Sequence, residues 1–414
     1  MKTDIVVVGG GPAGLGAAIR AKEEGAGEVL LIERDEEMGG ILNQCIHNGF
    51  GLHYYKEELT GPEYAYRLIK KAEQAGIEFV NSTMAVGIGN DRRITAINKQ
   101  GVMNVVAGAI ILSMGCRERT REVLGIPGDR PAGIFTAGTA QKLINIDGYL
   151  PGKKIVILGS GDIGMIMARR LTLEGAEVVC VVEKMPFIGG LLRNEVQCLN
   201  DFDIPILLNH SVTNIIGDKR VEKIVVSELD EQQMPVAGSE KIYEADTLLL
   251  SAGLIPENEL SEKAGVKLNR LTGGPLVNSL WQTSVEGIYA GGNVVHVHDI
   301  ADYVTEVSEM AAAKAVQCIG GSENSKKTVP VLAGKNVRYV VPNSLVLDSD
   351  QAGFYLRVTW PIDNAYIKIG GIYKKKFAFV RPSEQIRIDL PAEVLREIAE
   401  DNLVVSCEGE EREY

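Results

Sequence analysis

Two sets of three glycines, each followed at a fixed spacing by an acid, are the residues of this chain best suited to chemistry. Gly9, Gly11 and Gly14 form a G-x-G-x-x-G turn with Pro12 and Ala13 inside it, and Glu33 stands 19 residues beyond Gly14. Gly159, Gly161 and Gly164 repeat the turn with Asp162 and Ile163 inside it, and Glu183 stands 19 residues beyond Gly164. The first glycine permits a tight turn out of a strand. The second lets backbone approach a pyrophosphate, and the third lets helix and strand pack closely. The helix that follows aims unpaired N–H groups and partial positive charge at the phosphates, while the acid is suited to ribose hydroxyls. One such turn is weak evidence, because ordinary sheets also carry glycine-rich turns. Here each copy follows an apolar strand-like run, Val6-Val7-Val8 or Ile155-Val156-Ile157-Leu158, and opens a helical stretch, which completes the dinucleotide fingerprint. Two nucleotide sites imply electrons passed between them.

The elements that must position these residues repeat as well. The copies lie 150 positions apart without a gap. The match extends to Glu24-Gly25-Ala26 against Glu174-Gly175-Ala176 and to Gly39-Gly40 against Gly189-Gly190, as duplicated domains would give. A helix is expected over Tyr54 to Gly76, then a strand at Gly76 to Val80. Short strands follow over Ala85 to Asn98 and Val102 to Ala107, before Ala109 to Gly115. The second unit closes on Thr247 to Gly253, and a helix is expected from about Tyr303 to Ile319. Gly320 to Lys327 reads as a polar linker. Beyond it, β-branched and aromatic alternation such as Phe354-Tyr355-Leu356-Arg357-Val358 predicts a small β-rich sandwich carrying no chemical motif, with Glu408 to Tyr414 a solvated acidic tail.

At 414 residues the chain has room for two or three domains, and 45% hydrophobic with 24% charged residues is ordinary for a globular protein. A net charge of −12 offers no basic footprint, so nucleic acid is not an expected partner. No apolar stretch reaches the length of a membrane span, and Met1-Lys2-Thr3-Asp4 leads directly into a strand, leaving no expected signal peptide. The six cysteines, at 45, 116, 180, 198, 318 and 407, show neither C-x-x-C nor zinc spacing, which fits a reducing cytoplasm.

The order of motifs resembles the pyridine nucleotide–disulfide oxidoreductase superfamily over roughly residues 1–325. The resemblance implies an α/β fold of two Rossmann-like three-layer dinucleotide-binding domains, the NAD domain inserted in the FAD domain, plus the small β-rich C-terminal domain. The expected division is 1–118 and 250–327 for FAD, 119–249 for NAD(P), and 328–414 for the last domain. It implies FAD at Gly9, Gly11, Pro12, Ala13, Gly14, Glu33, Arg34 and Gly40, with backbone near Ala85 at the adenine and Met114-Gly115 along the flavin. A late segment, Gly287 to Asn293, would close the site through Gly292 and Asn293, the latter standing where the family usually has Asp. The helix start at Tyr303-Val304 would face the flavin pyrimidine. NAD(H) would occupy Gly159, Gly161, Asp162, Ile163, Gly164 and Glu183. The negative charge of Glu183 disfavours a 2′-phosphate, so NADP(H) is less expected, although Lys184 and Arg169-Arg170 are bases that can rescue it.

Within that superfamily, Gly39 to His47, Gly115 to Arg119 and Gly133 to Gln141 are similar to the FAD/NAD subunits of opine-oxidase and hydrogen-cyanide-synthase type dehydrogenases, and to the companion of a glycerol-3-phosphate dehydrogenase-like flavoprotein. The implied partner is a substrate-oxidising flavoprotein subunit, in a homo- or hetero-oligomer. True disulfide reductases need a cysteine pair, whereas the loop after Gly40 holds only Cys45. Cys45 is either a lone redox thiol or a packed core residue. His47 and His53 are either proton shuttles or plain hydrogen-bonding groups. His296, His298 and Asp299 follow Asn293 but make no complete ligand set, and no metal is expected. Three readings remain: an electron-transfer subunit exchanging a hydride between NAD(H) and flavin, a self-sufficient NAD(P)H oxidase or quinone or thiol reductase, and a non-catalytic scaffold.

Overall fold

The computed structural model describes residues 1–321, 327–347, 351–398 and 401–412. They fall into two compact units, residues 1–116 with 256–412, and residues 117–255.

In the first unit the strand Lys2–Val8 ends in the apolar, β-branched run Ile5–Val8, buried on both faces. It pairs in parallel with Val29–Ile32 on one side and with the long strand Gly101–Leu112 on the other. The sheet order is Glu78–Val80, Val29–Ile32, Lys2–Val8, Gly101–Leu112, Arg93–Asn98, Met84–Ile88, with Ile288–Ala290 joining Gly101–Leu112. The stretches expected apart, at 102–107 and 109–115, form one strand that ends at Leu112. Its first half pairs antiparallel with Arg93–Asn98 and its second half parallel with Lys2–Val8. Gly108 sits near the change of partner and marks no break; a Cβ there would come within 2.7 Å of the Asp4 carbonyl oxygen.

The helix expected from Tyr54 begins at Gly61 and runs to Gln74. Thr60 and Glu63 form a reciprocal capping box, with Pro62 in the first turn, and this start signal outweighs the helical spacing of the preceding tyrosines. The helix Ala301–Ile319 lies against Pro12–Glu23. A Cβ on Gly16 would stand 2.6 Å from Thr305 Cγ2, so this approach requires glycine.

The second unit has three layers. Its five parallel strands run in the order Ile134–Thr136, Thr247–Leu250, Lys154–Leu158, Glu177–Val182, Ile206–Leu207. Ile155 and Ile157 face a core shared with Met165, Ala168 and Leu171 of the helix Asp162–Leu173. Val156 and Leu158 face the opposite core, shared with the antiparallel meander His210–Gly217, Val221–Glu228, Lys241–Glu244. The period-2 alternation of one buried strand thus serves two layers.

Residues 327–412 belong to the first unit but build a core of their own between a five-stranded and a three-stranded sheet. In the three-stranded sheet, Val337–Val341, Gln351–Val358 and Ile386–Pro391, alternation again divides the side chains. Phe354, Leu356 and Val358 enter the local core, while Tyr355 joins the core around the first fingerprint. The acidic segment is not a free tail. Glu408, Glu410 and Glu411 lie in the strand Leu403–Glu411, paired with Ile362–Ile369, because Leu403, Val405 and Cys407 face inward and the acids outward. Residues 413–414, and 322–326 of the expected linker, lie outside the described residues.

Candidate functional site

The first fingerprint is a strand-to-helix turn with space at one place only. Gly9 has φ +105°, and a Cβ there would lie 2.4 Å from the Ser113 carbonyl oxygen, so only glycine fits. A Cβ on Gly14 would lie 1.8 Å from the Gly9 carbonyl oxygen. At Gly11 the nearest atom to such a Cβ is Gly40 Cα at 4.0 Å, so this position of the turn is unobstructed. The helix Pro12–Glu23 starts there with no side chain capping its N-terminus, so no side chain satisfies its first N–H groups. Glu33 is buried; Gly10 N–H donates to its Oε2, and Asp35 N–H donates to its Oε1 at 2.9 Å. The Glu33 carbonyl also accepts from Thr83 N–H at 2.8 Å, which brings in the strand holding Ala85. Arg34, half exposed, pairs with Glu257 at 3.6 Å.

The late segment closes on the same turn. Gly292 has φ +76°, and a Cβ on it would meet Ala13 Cβ at 2.9 Å and Val304 Cγ1 at 3.0 Å. Met114 and Gly115 follow the central strand, and the Gly115 carbonyl accepts from Glu257 N–H at 3.0 Å. Asn293 Oδ1 accepts from His298 N–H at 2.9 Å, and its Nδ2 lies 3.8 Å from Cys116 Sγ. The structure therefore brings Gly9–Gly14, Gly40, Gly292 and Val304 together, with Asn293 next to Gly292. Tyr303 packs on His53, ring centroids 5.6 Å apart.

Asp302 is a site residue that sequence reading missed. Buried at the start of the helix Ala301–Ile319, it accepts from the N–H groups of Gly51, His53 and Tyr54 at 3.2, 3.2 and 2.7 Å, clamping the loop that carries the histidines. Its one signal was an acid in a first helical turn. Cys45 packs beneath the helix Gly61–Gln74, donates to the Ile41 carbonyl at 3.2 Å, and burial pushes its thiol up to about 12. At neutral pH it is a thiol, not the thiolate that attacks disulfides. His47 packs against Phe50 with the rings tilted by 49° and centroids 5.1 Å apart.

The second fingerprint reproduces the first. Gly159 has φ +103° with a would-be Cβ 2.2 Å from the Ser251 carbonyl oxygen, and Gly164 approaches the Gly159 carbonyl in the same way, at 2.6 Å. A Cβ on Gly161 would make only ordinary contact, 3.7 Å from the Ser251 carbonyl oxygen. Buried Glu183 accepts from Ser160 N–H at 3.0 Å, from Ser160 Oγ at 2.6 Å and from Met185 N–H at 3.0 Å. Asp162 Oδ1 accepts from Leu191 N–H at 2.8 Å and Asn194 Nδ2 at 2.6 Å, so this carboxylate serves the covering loop. Ile163 is half-buried beside it.

A model of the pyridine nucleotide-disulphide oxidoreductase family matches residues 3–317. The chain belongs to this family. The family implies a flavin and a nicotinamide cofactor, and the two equally built turns fit two dinucleotides. The chain is 25% identical over 309 residues to an opine oxidase subunit of Agrobacterium tumefaciens, across 70% of this chain and 61% of that protein. It is 27% identical over 316 residues to the NAD(P)H coenzyme A polysulfide/persulfide reductase of Pyrococcus horikoshii, across 72% of this chain and 64% of that protein. The chain thus spans less than two thirds of these relatives' length. Thioredoxin reductase of T. acidophilum has a TM-score of 0.64 at 25% identity, covering 77% of this chain and 98% of that one. Among the described residues, no helix is long and apolar enough to cross a membrane.

Proposed function

We propose that this chain is an FAD-dependent oxidoreductase that exchanges a hydride between NAD(H) and flavin, and that it works as the electron-transfer subunit of a multi-subunit dehydrogenase. The observation that carries the reading is the pair of unobstructed second glycines, Gly11 and Gly161, each at a helix start that no side chain caps and each followed by an acid held by two backbone N–H groups. The bound flavin and nicotinamide supply the redox chemistry. The chain's own residues bind and orient. Gly11 and the first N–H groups of Pro12–Glu23 receive the FAD pyrophosphate, Glu33 the adenosine ribose, and Asn293 the ribityl chain. Gly161 and Glu183 do the corresponding work for NAD(H), the charge of Glu183 opposing a 2′-phosphate.

The Agrobacterium relative is itself one subunit of an opine oxidase, which supports a role beside a substrate-oxidising flavoprotein. A second reading, thiol or persulfide reduction, has the Pyrococcus relative in its favour. Against it stands Cys45, which burial keeps protonated and which has no second cysteine in its loop. The test is to purify the chain alone and assay NADH oxidation with an artificial dye, oxygen and disulfide or persulfide substrates. Rapid dye reduction with slow use of the others is expected. Fast disulfide or persulfide turnover would overturn the proposed role in a larger dehydrogenase, and a colourless protein that takes up no added FAD would overturn the whole assignment.

A further inference from the structure

His296 and His298 follow the Gly292–Val294 turn and are buried, their ring centroids 4.2 Å apart. One side chain touches both. Gln385, from the C-terminal β region, places Oε1 at 3.2 Å from His298 Nδ1 and Nε2 at 3.2 Å from His296 Nδ1. A primary amide has one donor end and one acceptor end. The ring that receives the amide N–H must offer a bare Nδ1, so its proton sits on Nε2. The ring that faces the amide oxygen must donate from Nδ1, so its Nε2 is bare. Turning the amide over exchanges the two rings and preserves the opposition.

The surroundings keep both rings uncharged. Tyr355 packs on both, at 5.7 and 5.3 Å, and Tyr339 on His296 at 5.8 Å. The charged groups facing the pair are Arg357, which pairs with Asp299, and Arg387, which pairs with Glu306 at 2.7 Å and Asp389 at 3.1 Å. Burial first, then the neighbouring His298 ring and Arg357, hold His296 well below the usual imidazole range; burial, opposed by the Gln385 hydrogen bond and reinforced by Arg357 and Arg387, holds His298 at about 3. The same contacts clamp the chain. Gln385 backbone N–H donates to Asp299 Oδ2 at 2.6 Å, and His298 backbone N–H donates to Asn293 Oδ1 at 2.9 Å, which sets the Asn293 amide with its Nδ2 toward Cys116 Sγ.

We propose that Gln385 is a positioning residue for the flavin site: it holds His296 and His298 as a neutral pair of opposite tautomers and, through His298 N–H, fixes the amide of Asn293. The second half rests on the reading of Asn293 as a flavin contact. The β-rich module is then part of the flavin site. Its strand alternation sends Phe354 and Leu356 into its own core and Tyr355 to the histidines.

The first test uses the whole protein labelled with ¹⁵N-histidine and needs no activity. One of these rings is expected to show the Nε2–H tautomer and the other Nδ1–H, neither titrating between about pH 5.5 and 8. Two like tautomers, or a titration near the ordinary histidine value, would overturn the pairing. Gln385→Glu keeps the shape but offers acceptors only, so both rings must turn Nδ1–H toward it. A facing carboxylate raises imidazole basicity, so a ring signal should now titrate as pH falls through that window, and an unaltered spectrum would count against the proposal. Gln385→Ala should raise the FAD dissociation constant of the apoprotein roughly tenfold with its melting curve retained. Unchanged affinity in that variant would overturn the link to Asn293. A wild-type protein that binds no FAD would instead overturn the functional reading, and with it that link, while the tautomer spectrum still decides the histidine pair.

Discussion

The two fingerprint units share their covalent plan and differ in how they are covered. In both, a helix of 12 residues starts at the second glycine, the acid bonds the residue after the first glycine, and the turn beyond the helix makes the same backbone bonds (Ala26 N–H to Ala21, Ala176 N–H to Leu171). The first helix is walled in by Ala301–Ile319, and Pro12 to Ile19 are all buried. The second helix buries fewer positions, and side chains hold its covering loop: Ser160 Oγ accepts from Gly189 N–H at 2.8 Å and Asp162 binds Leu191 and Asn194. In the first unit the corresponding link is backbone alone, Gly39 N–H to the Gly10 carbonyl at 2.8 Å. A walled turn suits a resident cofactor, and a loop latched by a few side chains suits one that exchanges. FAD should therefore stay with the protein through purification, and NAD(H) should leave.

The largest effect should come from the third glycines. Gly14→Ala places a methyl 1.8 Å from a carbonyl oxygen inside a walled turn and should cost more than about 4 kcal/mol, enough to lower soluble yield sharply. Gly164→Ala meets its carbonyl at 2.6 Å beside a less enclosed helix and should cost roughly 1–3 kcal/mol. Urea unfolding of the two variants measures the gap, and equal costs would break the contrast in covering.

The second glycines should separate binding from folding. Gly11→Val and Gly161→Val put side chains where the nearest atoms are 4.0 and 3.7 Å away, so each apoprotein should melt within a few degrees of wild type. Gly11→Val should purify colourless. Gly161→Val should keep its flavin and lose reduction by NADH. Loss of both cofactors from either single variant would show that the sites are not independent.

At the acids the expected effect is smaller. Glu183→Gln keeps an acceptor for Ser160 and removes the charge, so the preference for NADH over NADPH should fall by roughly tenfold. Glu33→Gln should weaken FAD binding without altering that preference. Rates of flavin reduction with the two donors decide it. An unchanged ratio in Glu183→Gln would mean that the acid serves only its own turn.

How far these sites could be read in the sequence follows from the range of the interactions. The glycine turns, the acids and the strand runs are local patterns, and they appear in the fold where the spacing put them. The partner change within Gly101–Leu112 was hidden because Gly108 resembles a break until Asp4 packs against it. Asp302 holds a loop some 250 positions earlier in the chain, and Gln385 reaches histidines almost 90 positions before it. Neither leaves a periodic trace. The C-terminal strands read as plain alternation because one face meets its own core and the other meets groups that sequence order does not bring near.

The smallest effect should come from Cys45, which has no counterpart in the second unit, where Glu195 stands 150 positions on. If the two units differ only in covering, this cysteine belongs to the packing of the first loop and not to electron transfer. Its Sγ donates to the Ile41 carbonyl, and burial raises the thiol far from the neutral range, so almost no thiolate exists to attack sulfur or peroxide. A serine hydroxyl can make the same hydrogen bond. Cys45→Ser should therefore keep NADH-to-dye reduction within a few-fold of wild type, at full flavin content and at most about 1–2 kcal/mol of lost stability. A variant that binds flavin normally yet passes no electrons to the dye would make Cys45 a redox centre, and the contrast between the two units would then be one of chemistry.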